Sequence, residues 1–308
     1  MVAQLDPIRM WREEYARRWL KIDFEPLSDA PFHASFEPIL VGMRIVRAAF
    51  SPGVTFRDEE MVKDGDDAFG LMIAQSGDLE ITHQGRDLRL GHGDAALLHV
   101  RATGSVGSRQ NFGYISVLIP EPEFATRGAR AGDALMHHLP RRSEVLQLLR
   151  GYLRSLERSR FSGSAEGRDT IRRHIIDLAA LALTPHGAVG ESGLSAVVAA
   201  RLAAALDQIA ASFQDPELSV ATVARSQGIS PRYLQRLMET SGTSFTARVT
   251  ELRLQRAFAL LGEPGPGRIS NIALEVGFSD ISHFNRLFRA RFGDTPRGVR
   301  GQSGRTAD

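Results

Sequence analysis

Apolar and polar positions change their rhythm twice along the chain. Residues 5–20 (LDPIRMWREEYARRWL) set Ile8, Trp11, Tyr15 and Trp19 at helical spacing, which predicts an amphipathic helix. From about residue 41 to 120 the period shortens. Apolar runs GMRIVRAAF, AFGLMIAQSG, DLEITHQGRDLRL, GHGDAALLHV and NFGYISVLIP are separated by glycine-bearing turns. Leu79 and Ile81 alternate with Glu80 and Thr82, and Leu88 with Arg89 before Leu90. The stretch 84–87 between those two runs reads as a hairpin turn. Closely spaced strands of this kind predict an antiparallel sandwich or small barrel. Beyond residue 120 the helical period returns, at 143–157 (SEVLQLLRGYLRSLE) and 168–183 (RDTIRRHIIDLAALAL), with loop composition between them.

The segment 186–193 (HGAVGESG) is glycine-rich and has no periodicity, which marks a domain boundary. Everything after it reads as helices and turns. The expected organisation is α+β: a strand-rich first domain with flanking helices over 1–185, a linker over 186–194, and an all-α domain over 195–308. A chain of 308 residues has the length for two such cores.

Composition narrows the chemistry. The chain has no cysteine, which excludes disulfides, thiolate metal clusters and cysteine nucleophiles. The best membrane candidate, 175–183, is short and broken by Asp177, and residues 1–12 carry no apolar leader; the expectation is a cytoplasmic protein without a membrane partner. Net charge is −2 over residues 1–194 and +4 over 195–308, where all 14 cations are arginines. Arginine forks phosphates and guanine edges better than lysine does.

The all-α part contains a repeat. VARSQGISPRYLQRLM (223–238) aligns with IALEVGFSDISHFNRLFR (272–289). Ala224, Gly228 and Ser230 match Ala273, Gly277 and Ser279, each 49 residues on. One extra residue in the second copy makes the offset 50, and then Leu234, Arg236 and Leu237 match Phe284, Arg286 and Leu287. Each copy has the grammar of a helix-turn-helix: a small residue for close helix approach, a glycine able to go left-handed, an apolar plug (Ile229, Phe278), and a serine (Ser230, Ser279) expected to cap the second helix. With Leu234, Leu237 and Met238 facing inward in one copy and Phe284, Leu287 and Phe288 in the other, the outward residues are Arg232, Gln235 and Arg236, then Ile281, Ser282, Asn285 and Arg286 with His283 beside them. Arg, Gln and Asn are the side chains that read guanine and adenine edges in the major groove.

Residues 195–300 resemble the AraC/XylS family of transcription regulators. The resemblance rests on Ile272-Ala273, Gly277-Phe278, Ser282, Phe284, Arg286, Phe288, Phe292-Gly293 and Thr295-Pro296; Val299 departs from it, standing where the family often has an aromatic residue. It implies a seven-helix domain whose two helix-turn-helix units are joined by a long helix, here about 244–261, and whose recognition helices enter successive major grooves of double-stranded DNA. Leu90, Gly93, Asp94, Leu97 and Leu98 (LxxGDxxLL), with the preceding hairpin, resemble the cupin-like sensor domains attached to many such regulators. That implies a cupin-like barrel holding a small-molecule effector, helices near 143–183 for homodimerisation, and RNA polymerase as a partner in activation.

Effector-contact candidates are the apolar Leu71, Ile73, Leu79 and Ile81, for which core packing is the competing reading, and Arg44 and Arg89, which could pair a carboxylate. No catalytic residue, metal or cofactor is expected. Metal-binding cupins need closely spaced histidines, whereas His33, His83, His92 and His99 form no His-x-His, and His137-His138 are adjacent. The alternatives are a regulator without effector, whose barrel only dimerises, and a cupin enzyme fused to a DNA-binding domain.

Overall fold

The computed structural model of the chain describes residues 7–16, 20–29, 31–40, 42–127, 131–159, 163–184, 191–263 and 267–303. They fall into two compact units, Met1–Ala200 and Arg201–Asp308.

The first unit is built on ten strands: β1 Asp23–Pro26, β2 Ala34–Pro38, β3 Ile45–Phe50, β4 Gly53–Arg57, β5 Phe69–Ser76, β6 Leu79–His83, β7 Arg86–Leu90, β8 Ala95–His99, β9 Gly104–Ser108 and β10 Phe112–Ile119. They form two antiparallel sheets, ordered β1-β4-β9-β6-β7 and β2-β3-β10-β5-β8. This is the cupin-like architecture that the sequence led us to expect. Between the sheets lies a core that includes Phe24, Phe50, Met72, Leu79, Ile81, Val106, Phe112 and Tyr114.

The two sheets differ in how their outer faces are treated, and the sequence records it. In β6, Leu79, Ile81 and His83 are buried while Glu80 and Thr82 are exposed, the alternation of a sheet with one wet face. In β5 six successive residues, Phe69 to Ala74, are buried. Gly70 and Met72 point between the sheets, while Leu71 and Ile73 stand on the other face with their cross-strand neighbours Val117 and Ile115. Helices cover that face. Arg47, paired across the ladder with Ile115, gives both Nε (3.0 Å) and Nη2 (2.5 Å) to Glu157 of the helix Glu144–Ser159. Phe69 meets Phe124 of the short helix Glu121–Ala125 edge-on at 5.6 Å.

Elsewhere the sequence reading is corrected in detail. The expected helix over 5–20 is a single α-turn, α1 (Pro7–Trp11), followed by a π-turn over Arg12–Ala16. Trp11 leaves the stripe and enters the inter-sheet core, with ring centroids 5.8–6.3 Å from Phe24, Phe32, Phe36 and Phe50. The Tyr15 side chain and Trp19 lie outside the described residues. The hairpin turn is tighter than 84–87: Gln84 and Gly85 alone make it, both with positive φ (51° and 71°), and Arg86 already belongs to β7. Strands β1, β2, β4 and β9 had no counterpart among the expected runs, because DFEP, ASFEP, GVTFR and GSVGS carry too few apolar residues to stand out.

Labelling Glu121–Ala125 α2, Glu144–Ser159 α3 and Ala165–Leu183 α4, seven further helices follow: α5 Glu191–Ser212, α6 Val220–Ser226, α7 Pro231–Thr240, α8 Phe245–Gly262, α9 Ile269–Glu275, α10 Ile281–Phe292 and α11 Pro296–Ser303. Helix α5 starts inside the stretch expected as linker; residues 185–190 are outside the described residues. By length and composition Gly193–Ser212 is apolar enough to cross a membrane. Arg201 and Asp207 interrupt it, and its Ala205 and Ile209 are fully buried in the first of two small helical cores. That first core also takes Val223, Ala224, Leu234, Met238, Phe245 and Val249; the second takes Leu254, Ala257, Leu260, Leu261, Ile272, Ala273, Val276, Phe278, Phe284 and Phe288. Helix α8, expected over 244–261 and capped by the Ser244 side chain, supplies both.

Each core closes over the same turn. Gly228 (φ +64°) and Gly277 (φ +97°) sit in the left-handed region. The next residue's N–H returns to the helix, Ile229 to Ala224 O at 3.0 Å and Phe278 to Ala273 O at 2.9 Å. The surroundings differ: a Cβ on Gly228 meets nothing, whereas one on Gly277 falls 2.7 Å from Gln214 O. Gly228→Ala should therefore cost about 1–2 kcal/mol, the left-handed penalty alone, and Gly277→Ala should cost more. Urea unfolding of both variants checks this; equal losses would mean that the backbone at Gln214 yields freely.

Candidate DNA-reading faces and interior cavity

The second helix of each repeat starts with a side-chain cap. Ser230 Oγ accepts from Tyr233 N at 3.2 Å, with Pro231 in the first helical position, as expected. In the second repeat the cap is not Ser279 but Asp280, whose Oδ1 accepts from Ser282 N (2.7 Å) and His283 N (3.1 Å). The extra residue of the second copy lies here and moves the cap by one. These two N–H bonds hold the Asp280 carboxyl below its ordinary range.

Burial then sorts the two helices. In α7, Leu234, Leu237 and Met238 are buried and Arg232, Gln235 and Arg236 exposed. In α10, Phe284 and Phe288 are buried, and Ile281, Ser282, His283, Asn285 and Arg286 exposed. All eight residues expected to read DNA thus lie on open faces of the two second helices. Arg236 lies over the Tyr233 ring, 5.2 Å from its centroid, and Arg286 Nη2 donates to His283 Nδ1 at 3.0 Å. Behind these faces, polar ties fix the helices to the spine. Arg291 of α10 forks Glu251 of α8 at 2.8–3.0 Å. Arg253 of α8 donates to Phe213 O (2.6 Å) and Asp215 O (2.8 Å).

The strand-rich unit contains a cavity of about 110 Å³ between its sheets. Its wall is mostly apolar, with Phe36, Met72, Leu98, Val106 and Leu118, and it carries Thr55, Arg57, His83 and Tyr114 as polar groups. Tyr114, fully buried, hydrogen-bonds Thr55, whose Oγ1 donates to Val106 O at 3.0 Å, so a polar chain crosses from one sheet to the other. Burial pushes the Tyr114 hydroxyl up to about 12. Arg57 is 7% exposed and already engaged: Nε on Val100 O (3.1 Å), Nη1 on Lys21 O (2.6 Å), Nη2 on Met61 O (3.1 Å) and Asp64 Oδ2 (3.0 Å). His83 Nε2 accepts from His99 N at 3.2 Å, which leaves its proton on Nδ1.

None of the six effector candidates lines this cavity. Leu71 and Ile73 are on the helix-covered face of their sheet. Leu79 and Ile81 belong to the inter-sheet core away from the cavity wall. Arg44 pairs with Asp66, and Arg89 pairs with Glu80 at 2.9 Å in the open. Sequence reasoning missed Tyr114, Thr55 and Arg57. Polar residues in an apolar run, such as Tyr114 and Ser116 in FGYISVLI, were the available signal. Among the described residues no three His, Asp or Glu side chains gather as a metal site.

Paired helix-turn-helix units on one spine, in a chain that also carries a cupin-like domain, define a DNA-binding transcription regulator. The comparisons agree: an AraC-binding-like domain matches residues 11–184 and a helix-turn-helix domain matches 223–302. The chain belongs to the AraC family of transcription regulators. It is similar to the transcriptional activator RhrA of Rhizobium meliloti (strain 1021), 27% identical over 77% of this chain and 74% of that protein. The regulator GlxA of the same organism is 38% identical over 33% of this chain and 32% of its own length. Among solved structures, the AraC-like transcriptional activator CuxR aligns over 83% of this chain and 93% of its own, at 19% identity and a TM-score of 0.49.

The cavity has a titration signature. Burial first, and then the neighbouring His99, lower the His83 pKa from 6.5 to about 4. The unfolded chain therefore takes up this proton at a higher pH than the folded one. The contribution is complete above pH 6.5 and is lost progressively as the pH falls toward 4. Urea unfolding across that range should show declining stability, with a shallower decline in His83→Gln; identical slopes would remove His83 as the cause.

Proposed function

We propose that this regulator reads two adjacent DNA segments through the exposed faces of α7 and α10, acts as a homodimer that recruits RNA polymerase as an activator, and responds to a small effector in the barrel cavity. The observation that carries the reading is the repeated exposure of Arg, Gln, Asn and His on both second helices, in a unit whose cations are all arginines. Arg232, Gln235 and Arg236 contact one major groove and Ile281, Ser282, His283, Asn285 and Arg286 the next. No turnover is part of this role, and the name of RhrA as an activator supports the direction of control.

The cavity chemistry favours a compact, uncharged effector. Its volume is of the order that holds a single ring. Arg57, the cation in its wall, already serves three backbone carbonyls and Asp64, so no free cation there calls for a carboxylate. Tyr114, Thr55 and His83 offer neutral hydrogen-bonding partners.

Selection of sites from random DNA duplexes with the full-length protein tests the DNA reading. It should return a long site with two half-sites, each spanning two successive major grooves; failure to return any motif at low salt, with and without candidate effectors, would overturn it. On the selected site, Arg236→Ala and Arg286→Ala should each cost about 1–3 kcal/mol, with relaxed choice at one base position. Uniform weakening on all sequences would place those arginines on phosphates. Thermal unfolding against a panel of monocyclic compounds tests the effector, since binding to the folded state raises the midpoint.

A further inference from the structure

A second candidate site lies on the same unit, outside the barrel. Arg150, on α3, is half-buried, and its guanidinium packs against Gly93, the left-handed turn (φ +85°) before β8. A Cβ on Gly93 would come within 2.5 Å of Nη1 and 2.8 Å of Cζ. The left-handed backbone favours glycine here, and any larger residue would also displace the end of the Arg150 side chain.

The Arg150 Nε is buried and has no hydrogen-bond partner among the described residues. Asp94, the carboxylate that attracts it, makes its hydrogen bonds elsewhere: Oδ1 accepts from Arg141 N at 2.8 Å, and Oδ2 from Gly91 N at 3.1 Å and His138 Nε2 at 3.0 Å. Arg154 lies one helical turn further along α3, exposed, and Arg141 lies on the loop held by Asp94. Burial chiefly, and then repulsion by Arg154 and Arg141, lower the Arg150 pKa, while Asp94 opposes them. Like charges four apart on a helix destabilise it unless a counter-charge sits between them.

We propose that Arg150, Arg154 and Arg141, around the Gly93 turn, form a binding site for a small phosphate-bearing anion. A guanidinium presents a planar fork of N–H donors that matches phosphate oxygens two at a time. Three such forks suit a dianion with several acceptor oxygens better than a single carboxylate. The site differs in kind from the barrel cavity, whose one arginine is spent, and it does not rest on the effector reading.

The test uses the full-length protein, followed by thermal unfolding at constant ionic strength. Inorganic phosphate is titrated in one arm and glycerol 2-phosphate in the other, against chloride. Saturable stabilisation at millimolar concentration in either arm is expected, and the tighter arm identifies a free or an esterified phosphate as the source. Arg150→Gln and Arg154→Gln should weaken apparent binding at least tenfold, while Arg89→Gln, on the exposed hairpin, should leave it unchanged. Should Arg150→Gln fail to fold, the exposed Arg154 carries the test alone. Absence of saturation in the wild type, or equal saturation in the variants, overturns the proposal. So does weaker binding of random duplex DNA by Arg154→Gln without any phosphate effect, which would assign these arginines to DNA, and so does a change in oligomeric mass alone, which would assign them to a second copy of the chain.

Discussion

The DNA-binding unit depends on one uninterrupted helix. α8 gives Phe245 and Val249 to one core and Leu254, Ala257, Leu260 and Leu261 to the other. Neither core is large enough to hold a pair of short helices without that contribution; small domains bury too little surface to be stable on their own. A break in α8 would therefore cost both cores and the rigid relation between the helix-turn-helix units. Its 18 residues rise about 27 Å, the length scale of one DNA turn. The tie from Glu251 to Arg291 and those from Arg253 to the carbonyls of Phe213 and Asp215 act near its middle. They brace the second helix of one repeat and the segment after α5 against the same spine.

The repeat was legible because its constraints are local. A left-handed turn demands glycine, a close helix contact demands alanine, and the amphipathic face of the second helix follows from the period alone. Those residues fall where expected in both copies, and the eight candidate DNA contacts are exposed. The cap of α10 was misread for an equally local reason. Serine and aspartate are adjacent at 279 and 280, both cap well, and the inserted residue decides between them.

In the strand-rich unit the same reasoning gave the class and lost the face. An alternating strand such as β6 declares which residues point inward. β5 does not, because both its faces are buried, Phe69 on the outer one against Phe124 of α2, and a strand buried on both faces reads as one apolar run. Leu71 and Ile73 were thus as good candidates for the cavity as Met72, and only the pairing of sheets and helices separates them. Arg57 was invisible for the opposite reason. Its partners come from residues 21, 61, 64 and 100, and no spacing in the sequence brings these together.

The burial of β5 on both faces would also give the unit a route for the proposed response. An effector can shift an equilibrium only by its differential affinity for two arrangements. The cavity has walls in both sheets, and Tyr114–Thr55–Val106 links them with hydrogen bonds rather than with packing alone. On the proposed effector reading, filling that space would change how the sheets meet. The outer sheet face is where Arg47 holds Glu157 and Phe69 holds Phe124, so α2 and α3 ride on the sheet that the effector would touch. α3 also carries Arg150, lying against the Gly93 turn that leads into β8. Sheet, helix and turn are packed at van der Waals distance, and close-packed interiors transmit displacement rather than absorb it. An effector in the cavity would touch β8 through Leu98 and His99, and an anion at the proposed arginine cluster would touch the turn that leads into the same strand.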